Sequence, residues 1–147
     1  MKSRSKSVAL LAVASLCAAS QAAAQSIELI TQGIGGQANG NSIYPEITAN
    51  GTYVAYHSAA SNLVIGDTND APDCFVYRRS TGETIRVSVA TGGVEVPMGG
   101  LEPVISFDNR YVTFYSFSTG LVPGDLPGTS DCFLHHIPTG VTTRVTP

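Results

Sequence analysis

The chain has 147 residues, with eight Lys and Arg against eleven Asp and Glu and 43% hydrophobic residues. Three of the eight cations, Lys2, Arg4 and Lys6, fall in the first six residues, so the remainder carries five arginines, no lysine, and a net charge of five minus eleven, or −6. A chain of this size has room for one modest domain, and its acidity excludes the basic footprint that nucleic acid or an anionic membrane surface requires.

In chain order, residues 1–24 read as a secretory signal peptide. Lys2, Arg4 and Lys6 precede an apolar run from Val8 to Ala19, and Ala22-Ala23-Ala24 supplies the small residues of a cleavage site before Gln25. The run is too short to anchor in a bilayer, so no membrane span is expected. Cys17 does not suit lipidation, because Leu16 stands where a lipoprotein signal carries Gly or Ala. Cys74 and Cys132 then remain in an oxidising compartment.

Residues 25–42 read as an N-terminal strand, Ile27 to Thr31, and a Gly-rich crossover. Within it, Gly33-Ile34-Gly35-Gly36-Gln37-Ala38 formally matches a dinucleotide-binding fingerprint. That motif needs a helix directly after it, and "NGNSIYP" supplies none.

From residue 43 the chain is written twice with a period of 58. Pro45, Ile47, Tyr53-Val54 and Ser58 return as Pro103, Ile105, Tyr111-Val112 and Ser116. Leu63-Val64, Gly66-Asp67 and Asp73-Cys74-Phe75 return as Leu121-Val122, Gly124-Asp125 and Asp131-Cys132-Phe133, and Arg86-Val87 as Arg144-Val145. "IELIT" at Ile27 lines up with "TIRVS" at Thr84, each followed by a Gly-Gly pair.

Each unit predicts four short strands, since β-branched and aromatic runs alternate with Gly, Asn, Asp and Pro clusters. In blade one, residues 43–89, they are Ile43 to Thr48, Tyr53 to Ser58, Cys74 to Arg79 and Thr84 to Val89. In blade two and its crossover, residues 90–147, they are Val104 to Ser106, Tyr111 to Ser116, Cys132 to Ile137 and Thr142 to Thr146. The class is all-β, and the connections alternate between tight turns, as at Asn50-Gly51, and long loops. In an up-and-down sheet the long loops gather on one edge, where a binding surface is expected.

Four antiparallel strands per unit at this period predict propeller blades. The segments "YPEITANGTYVAYHSAASNLVIGDTNDAPDCFVYRRSTGETIRVS" and "EPVISFDNRYVTFYSFSTGLVPGDLPGTSDCFLHHIPTGVTTRVT" resemble the TolB-type β-propeller repeat of exported bacterial proteins. Repeats of that family carry a Pro-x-Ile-Ser strand, a Gly-Arg-Tyr-Val hairpin, a Leu-Val-x-Gly-Asp loop and an Asp-Val-Phe-Val strand. This sequence departs from them at Cys74 and Cys132, where the family usually has Val. The resemblance implies a scaffolding or protein-binding role.

Propellers close with about four to eight blades, whereas two units are written here. The end faces would therefore expose apolar surface. That predicts either self-association of several chains through open blade faces or a remnant of a longer gene.

Candidate sites are few. Asp67, Asn69, Asp70 and Asp73 space oxygen donors as a calcium loop does, but Pro72 and Arg78 stand where an EF-hand needs Gly and a bidentate Glu. The second copy keeps Asp125 and Asp131 and replaces Asn69 and Asp70 with Pro127 and Gly128. Calcium is thus the one cofactor the sequence suggests, and only at the first loop. Cys74 and Cys132 are expected as buried free thiols, being too far apart on successive blades for a bridge. His135 and His136 point to opposite faces of a strand, His57 has no evident partner, and no nucleophile elbow is present. Arg86 and Arg144 recur beside threonines and are expected to pair with a carboxylate of the next blade, with Asp73 and Asp131 as candidates.

The expectation is an exported, non-enzymatic β-propeller-repeat protein, periplasmic or extracellular, that binds a protein partner. The alternative is a fragment or subunit of a propeller hydrolase or lyase, calcium-dependent if the first loop is a site.

Overall fold

The computed structural model describes residues 27–146. The signal peptide and Cys17 lie outside the described residues. Ten strands are present: β1 (Gln32–Gly33), β2 (Gly36–Gln37), β3 (Ser42–Ile47), β4 (Tyr53–Ser58), β5 (Asp73–Arg78), β6 (Glu83–Arg86), β7 (Leu101–Ile105), β8 (Tyr111–Ser116), β9 (Asp131–His136) and β10 (Val141–Arg144). Among the described residues there is no helix.

The strands form a small hairpin, β1-β2, and two four-stranded antiparallel sheets in sequence order, β3 to β6 and β7 to β10. This is blade connectivity, and the repeat is reproduced in detail. Tyr53 pairs with Arg78 and Ser58 with Asp73 in the first sheet, while Tyr111 pairs with His136 and Ser116 with Asp131 in the second. Both inner strands carry a register shift, at Ile43/Glu46 and at Leu101/Val104. Within each shift a non-Gly residue takes a left-handed backbone, Tyr44 at φ 53° and Glu102 at φ 50°. That irregularity is why β7 begins at Leu101, three residues before the expected strand: Glu102 and Pro103 break the alternating pattern while the ladder continues.

The tight turns are closed by side chains as well as backbone. At the first, Thr48 N–H donates to the Tyr53 carbonyl (3.1 Å), and Gly51 takes φ 68°. At the second, Asn109 adopts φ 61° in the corresponding place, a conformation that Asn tolerates better than most residues.

Alternation along β4 and β5 divides the buried residues into two clusters. Ala55, Cys74, Val76 and Val87 face blade two and pack with its Ile105, Val112, Phe114, Leu121 and Phe133. Val54, Tyr56, Leu63 and Phe75 form the other cluster, which Ile30 and Ala38 of the N-terminal segment cover. Tyr56 stacks on Phe75 with ring centroids 5.8 Å apart, and Phe114 on Phe133 at 5.7 Å, the same pair in both blades.

Two expectations are corrected. Ile27 to Thr31 does not form a strand, because it has no ladder partner; the chain instead pairs β1 with β2 around Gly35 (φ 79°). Cys132 is exposed rather than buried, whereas Cys74 is fully buried, and both are free thiols. The asymmetry follows from position: blade two covers the Cys74 face, and among the described residues nothing covers the Cys132 face.

Candidate functional site

The acidic loop between β4 and β5 is held by an arginine. Arg86, at the end of β6, places one guanidinium nitrogen 3.3 Å from Asp67, 3.3 Å from Asp73 and 2.6 Å from Glu95. Its other terminal nitrogen donates to the Gly66 carbonyl (2.8 Å). Asp67 belongs to the loop, Asp73 opens β5, and Glu95 arrives from the crossover into blade two. Glu95 also accepts from both the backbone N–H (2.8 Å) and the hydroxyl (2.6 Å) of Thr68. One cation therefore ties the long loop, a strand start and the inter-blade connection together.

Each of the four sequence-predicted residues has a defined place. Asp67 and Asp73 lie in the cluster. The Asn69 side-chain nitrogen donates to Asp73 (3.0 Å) and to the Val96 carbonyl (2.9 Å), and its oxygen accepts the Ala71 N–H (3.0 Å). Because the Val96 carbonyl can only accept, the amide group turned toward Asp73 is a donor and not a metal-binding oxygen. Asp70 is exposed at the loop tip with φ 54° and is not among the converging carboxylates. The sequence reading missed Glu95, which sits in an irregular crossover 22 residues past Asp73.

Asp73 is further satisfied by the Ser88 hydroxyl, which donates to it while accepting the Cys74 N–H (2.9 Å). Blade two repeats this clasp: the Thr146 hydroxyl donates to Asp131 (2.7 Å) and accepts the Cys132 N–H (3.2 Å). Arg144 there lies 3.5 Å from Asp125 and 3.9 Å from Asp131. The arginines thus pair with the expected candidates, Asp73 and Asp131, but these belong to their own blade and not to the next one; only Glu95 reaches in from the connection between blades.

The electrostatics follow from burial. Asp67 is pushed up to about 6, chiefly by desolvation and then by its neighbour Asp73, with Arg86 opposing. Burial likewise raises Asp73, against the Ser88 hydrogen bond and Arg86. Glu95, nearer the surface, is pulled down to about 2, first by its Thr68 hydrogen bond. Asp67, Asp73 and Glu95 bring oxygens within 4.8 Å of one another, a spacing that suits a cation, and Arg86 supplies that cation. For calcium, which takes six to eight oxygen ligands, the set is short of donors while Arg86 and the Asn69 NH2 occupy it.

The three imidazoles are used in packing and turns. His57, buried, accepts the Glu102 N–H at Nδ1 (3.1 Å) and packs on Tyr44, linking the blades. His136 meets the Thr139 hydroxyl (2.7 Å). His135 Nδ1 lies 2.9 Å from the Thr142 hydroxyl, whose single proton goes to the Val89 carbonyl (2.5 Å). His135 must therefore donate through Nδ1–H, and it does not activate the threonine.

The long loops share one edge, as their cross-contacts show: Thr68 reaches Glu95, and Met98 N–H donates to the Ser118 hydroxyl (3.2 Å). Along this edge Ile65 is 90% exposed, and Val94, Met98, Phe117 and Leu126 are exposed with it.

No family model matches the chain, and no curated protein does. Among solved structures, TolB from Acinetobacter baumannii is similar with a TM-score of 0.45 and 16% identity, over 73% of this chain and 21% of that one. The chain therefore spans about a fifth of the length of that structure.

Proposed function

We propose that this chain is an exported, non-enzymatic β-propeller-repeat protein that binds another protein, or an envelope component, through its long-loop edge. The observation that carries the reading is the set of exposed apolar side chains on the long loops: Ile65, Val94 and Met98 on the loop and crossover that Arg86 clamps, and Phe117 and Leu126 on the loop that Asp125 and Arg144 close. Scattered exposed apolar residues are ordinary, but several on one edge over a rigid base suit a protein partner. The hydroxyls of Ser88 and Thr142, hydrogen-bonded to Asp73 and to the Val89 carbonyl, are buried out of a substrate's reach. Capture from bacterial envelope extract tests the proposal. A specific partner retained by the wild-type chain and lost by the Ile65→Ser, Leu126→Ser double variant, at unchanged Tm, is the expected outcome. Equal retention by both chains refutes it.

The metal component of the hydrolase or lyase alternative rests on calcium at Asp67 and Asp73. With Arg86 neutralising these carboxylates, millimolar calcium is expected to leave Tm unchanged; a rise abolished by Asp67→Ala would favour the alternative.

A further inference from the structure

The contact between the two blades has a second half on each side: on blade two it is uncovered among the described residues, and on blade one it is covered by the N-terminal segment. Blade one presents Ala55, Cys74, Val76 and Val87 to blade two, each fully buried. Fifty-eight residues later the same positions are Thr113, Cys132, Leu134 and Val145. Of these Thr113 and Cys132 are exposed, Leu134 is half-buried and Val145 is 61% exposed. The opposite partner is duplicated as well. Blade two meets blade one with Ile105, Val112, Phe114 and Phe133. Their counterparts on blade one are Ile47, which is 59% exposed, and Val54, Tyr56 and Phe75, which are buried under the N-terminal segment that includes Ile30 and Ala38.

We infer that the open face of blade two docks a second copy of this chain, head to tail, through that copy's blade-one face. The internal contact is the template that identifies the occupant: each free face carries the side-chain pattern whose counterpart the other free face already fits. Such a contact joins two different surfaces and either closes into a ring or runs on as a filament. With about four to eight blades in a closed propeller, a ring takes two to four copies.

Ile30 gives the contact a displaceable placeholder. It packs against the cluster of Val54, Tyr56, Leu63 and Phe75 as Val87 packs in the cluster between the blades, and it stands at the repeat position of Val87 and Val145. In the assembly Val145 of one copy takes the place that Ile30 holds on the next. Residues 27–30 have no ladder bonds, and Ile27 and Leu29 are exposed, so moving them breaks little beyond the Glu28 contacts to Tyr77 (2.9 Å) and Arg79 (3.2 Å). Two bonds of the internal contact have no counterpart. Glu46 accepts the Ile105 N–H (2.9 Å) and His57 that of Glu102, whereas the copies of Glu46 and His57 are Val104 and Tyr115. Association between chains is therefore weaker than between blades and depends on concentration.

Light scattering on the purified mature chain across a concentration range tests this, with Val145→Asp and Ile47→Asp as single variants. The wild type is expected to reach a mass of two to four chains or more, and each variant to stay monomeric. Mixing the variants in equal amounts should then restore a heterodimer, because each retains one unaltered face. Thr113→Arg, on the same exposed face as Val145, replaces Val145→Asp if that variant misfolds. A wild-type monomer at all concentrations, disruption by Val145→Asp alone, or no recovery on mixing overturns the inference. The Ile65→Ser, Leu126→Ser loop variant should keep the wild-type mass, so failure of the loop-binding proposal and failure of this one are read separately.

Discussion

Arg86 and Arg144 are the same residue of the repeat in two environments, which makes a matched pair of substitutions informative. The Arg86 side chain is 8% exposed and faces three carboxylates, whereas Arg144 is 29% exposed and faces two at 3.5 and 3.9 Å. Arg86→Met keeps the aliphatic stem and removes the charge, leaving Asp67 and Asp73 buried without a cation, Asp73 keeping only its neutral donors Ser88 and Asn69. Removing one member of a buried ion pair costs about 3 to 5 kcal/mol, while a partly exposed pair is worth about 1 kcal/mol or less. At about 4 °C per kcal/mol for a domain of this size, Arg86→Met should lower Tm by about 12 to 20 °C and Arg144→Met by no more than about 4 °C. Thermal unfolding followed by circular dichroism reads both. The pH dependence has a sign. Asp67 already titrates near 6, above its unfolded value, so its protonation favours the folded state as pH falls toward 4. Without the guanidinium this effect grows, and the deficit of Arg86→Met should shrink between pH 8 and pH 5. Equal small losses from the two variants, or a deficit that widens on acidification, would refute the account of the cluster.

Gly99 should not tolerate Ala: with φ 55°, a Cβ there would lie 2.1 Å from the Pro72 carbonyl and 2.7 Å from Asp73, so Gly99→Ala is expected to cost about 1 to 3 kcal/mol in urea unfolding. Gly92→Ala, whose Cβ meets nothing within 4 Å, should cost only about 1 kcal/mol for its left-handed backbone. His135 is held down to about 4 by burial, so between pH 6.5 and 4 the unfolded chain binds a proton that the folded one does not. Its contribution is full above pH 6.5 and fades toward pH 4, and the stability gap between wild type and His135→Gln should narrow over that range. In the monomeric Ile47→Asp variant, which leaves the face of blade two uncovered, one thiol, Cys132, should react with a disulfide reagent within minutes, and Cys74, whose thiol burial holds well above its usual range, only after unfolding. Two fast thiols, or none, would contradict the open face of blade two.

Much of the fold was legible because the chain carries its own comparison. Identities 58 residues apart marked the strands β4, β5, β8 and β9 within a residue of their observed ends, since a side chain that alternates between two packed faces is constrained at nearly every position. Legibility failed where the backbone departs from regular pairing. The left-handed Glu102 hides the start of β7, because its residue type does not signal that conformation, whereas β3 begins within one residue of its expected start despite Tyr44. The short segment at Ile27 reads as a strand by composition, but composition does not supply a neighbour to bond.

The acidic loop shows the same division at the scale of a site. Its repeated residues, Gly66, Asp67 and Asp73, were separable from the private Asn69 and Asp70 by sequence alone, and the repeated ones do form the clasp with Arg86. Recurrence could not find Glu95, since the corresponding crossover residue, Ala38, comes before the first unit and carries no charge. Glu95 is what makes the first clasp different from the second. A third carboxylate shortens the closest contact to 2.6 Å and brings the crossover down over the loop, so Arg86 is buried where Arg144 is not. The extra acid occurs where one blade passes the chain to the next, and the clasp it completes is a lock between blades.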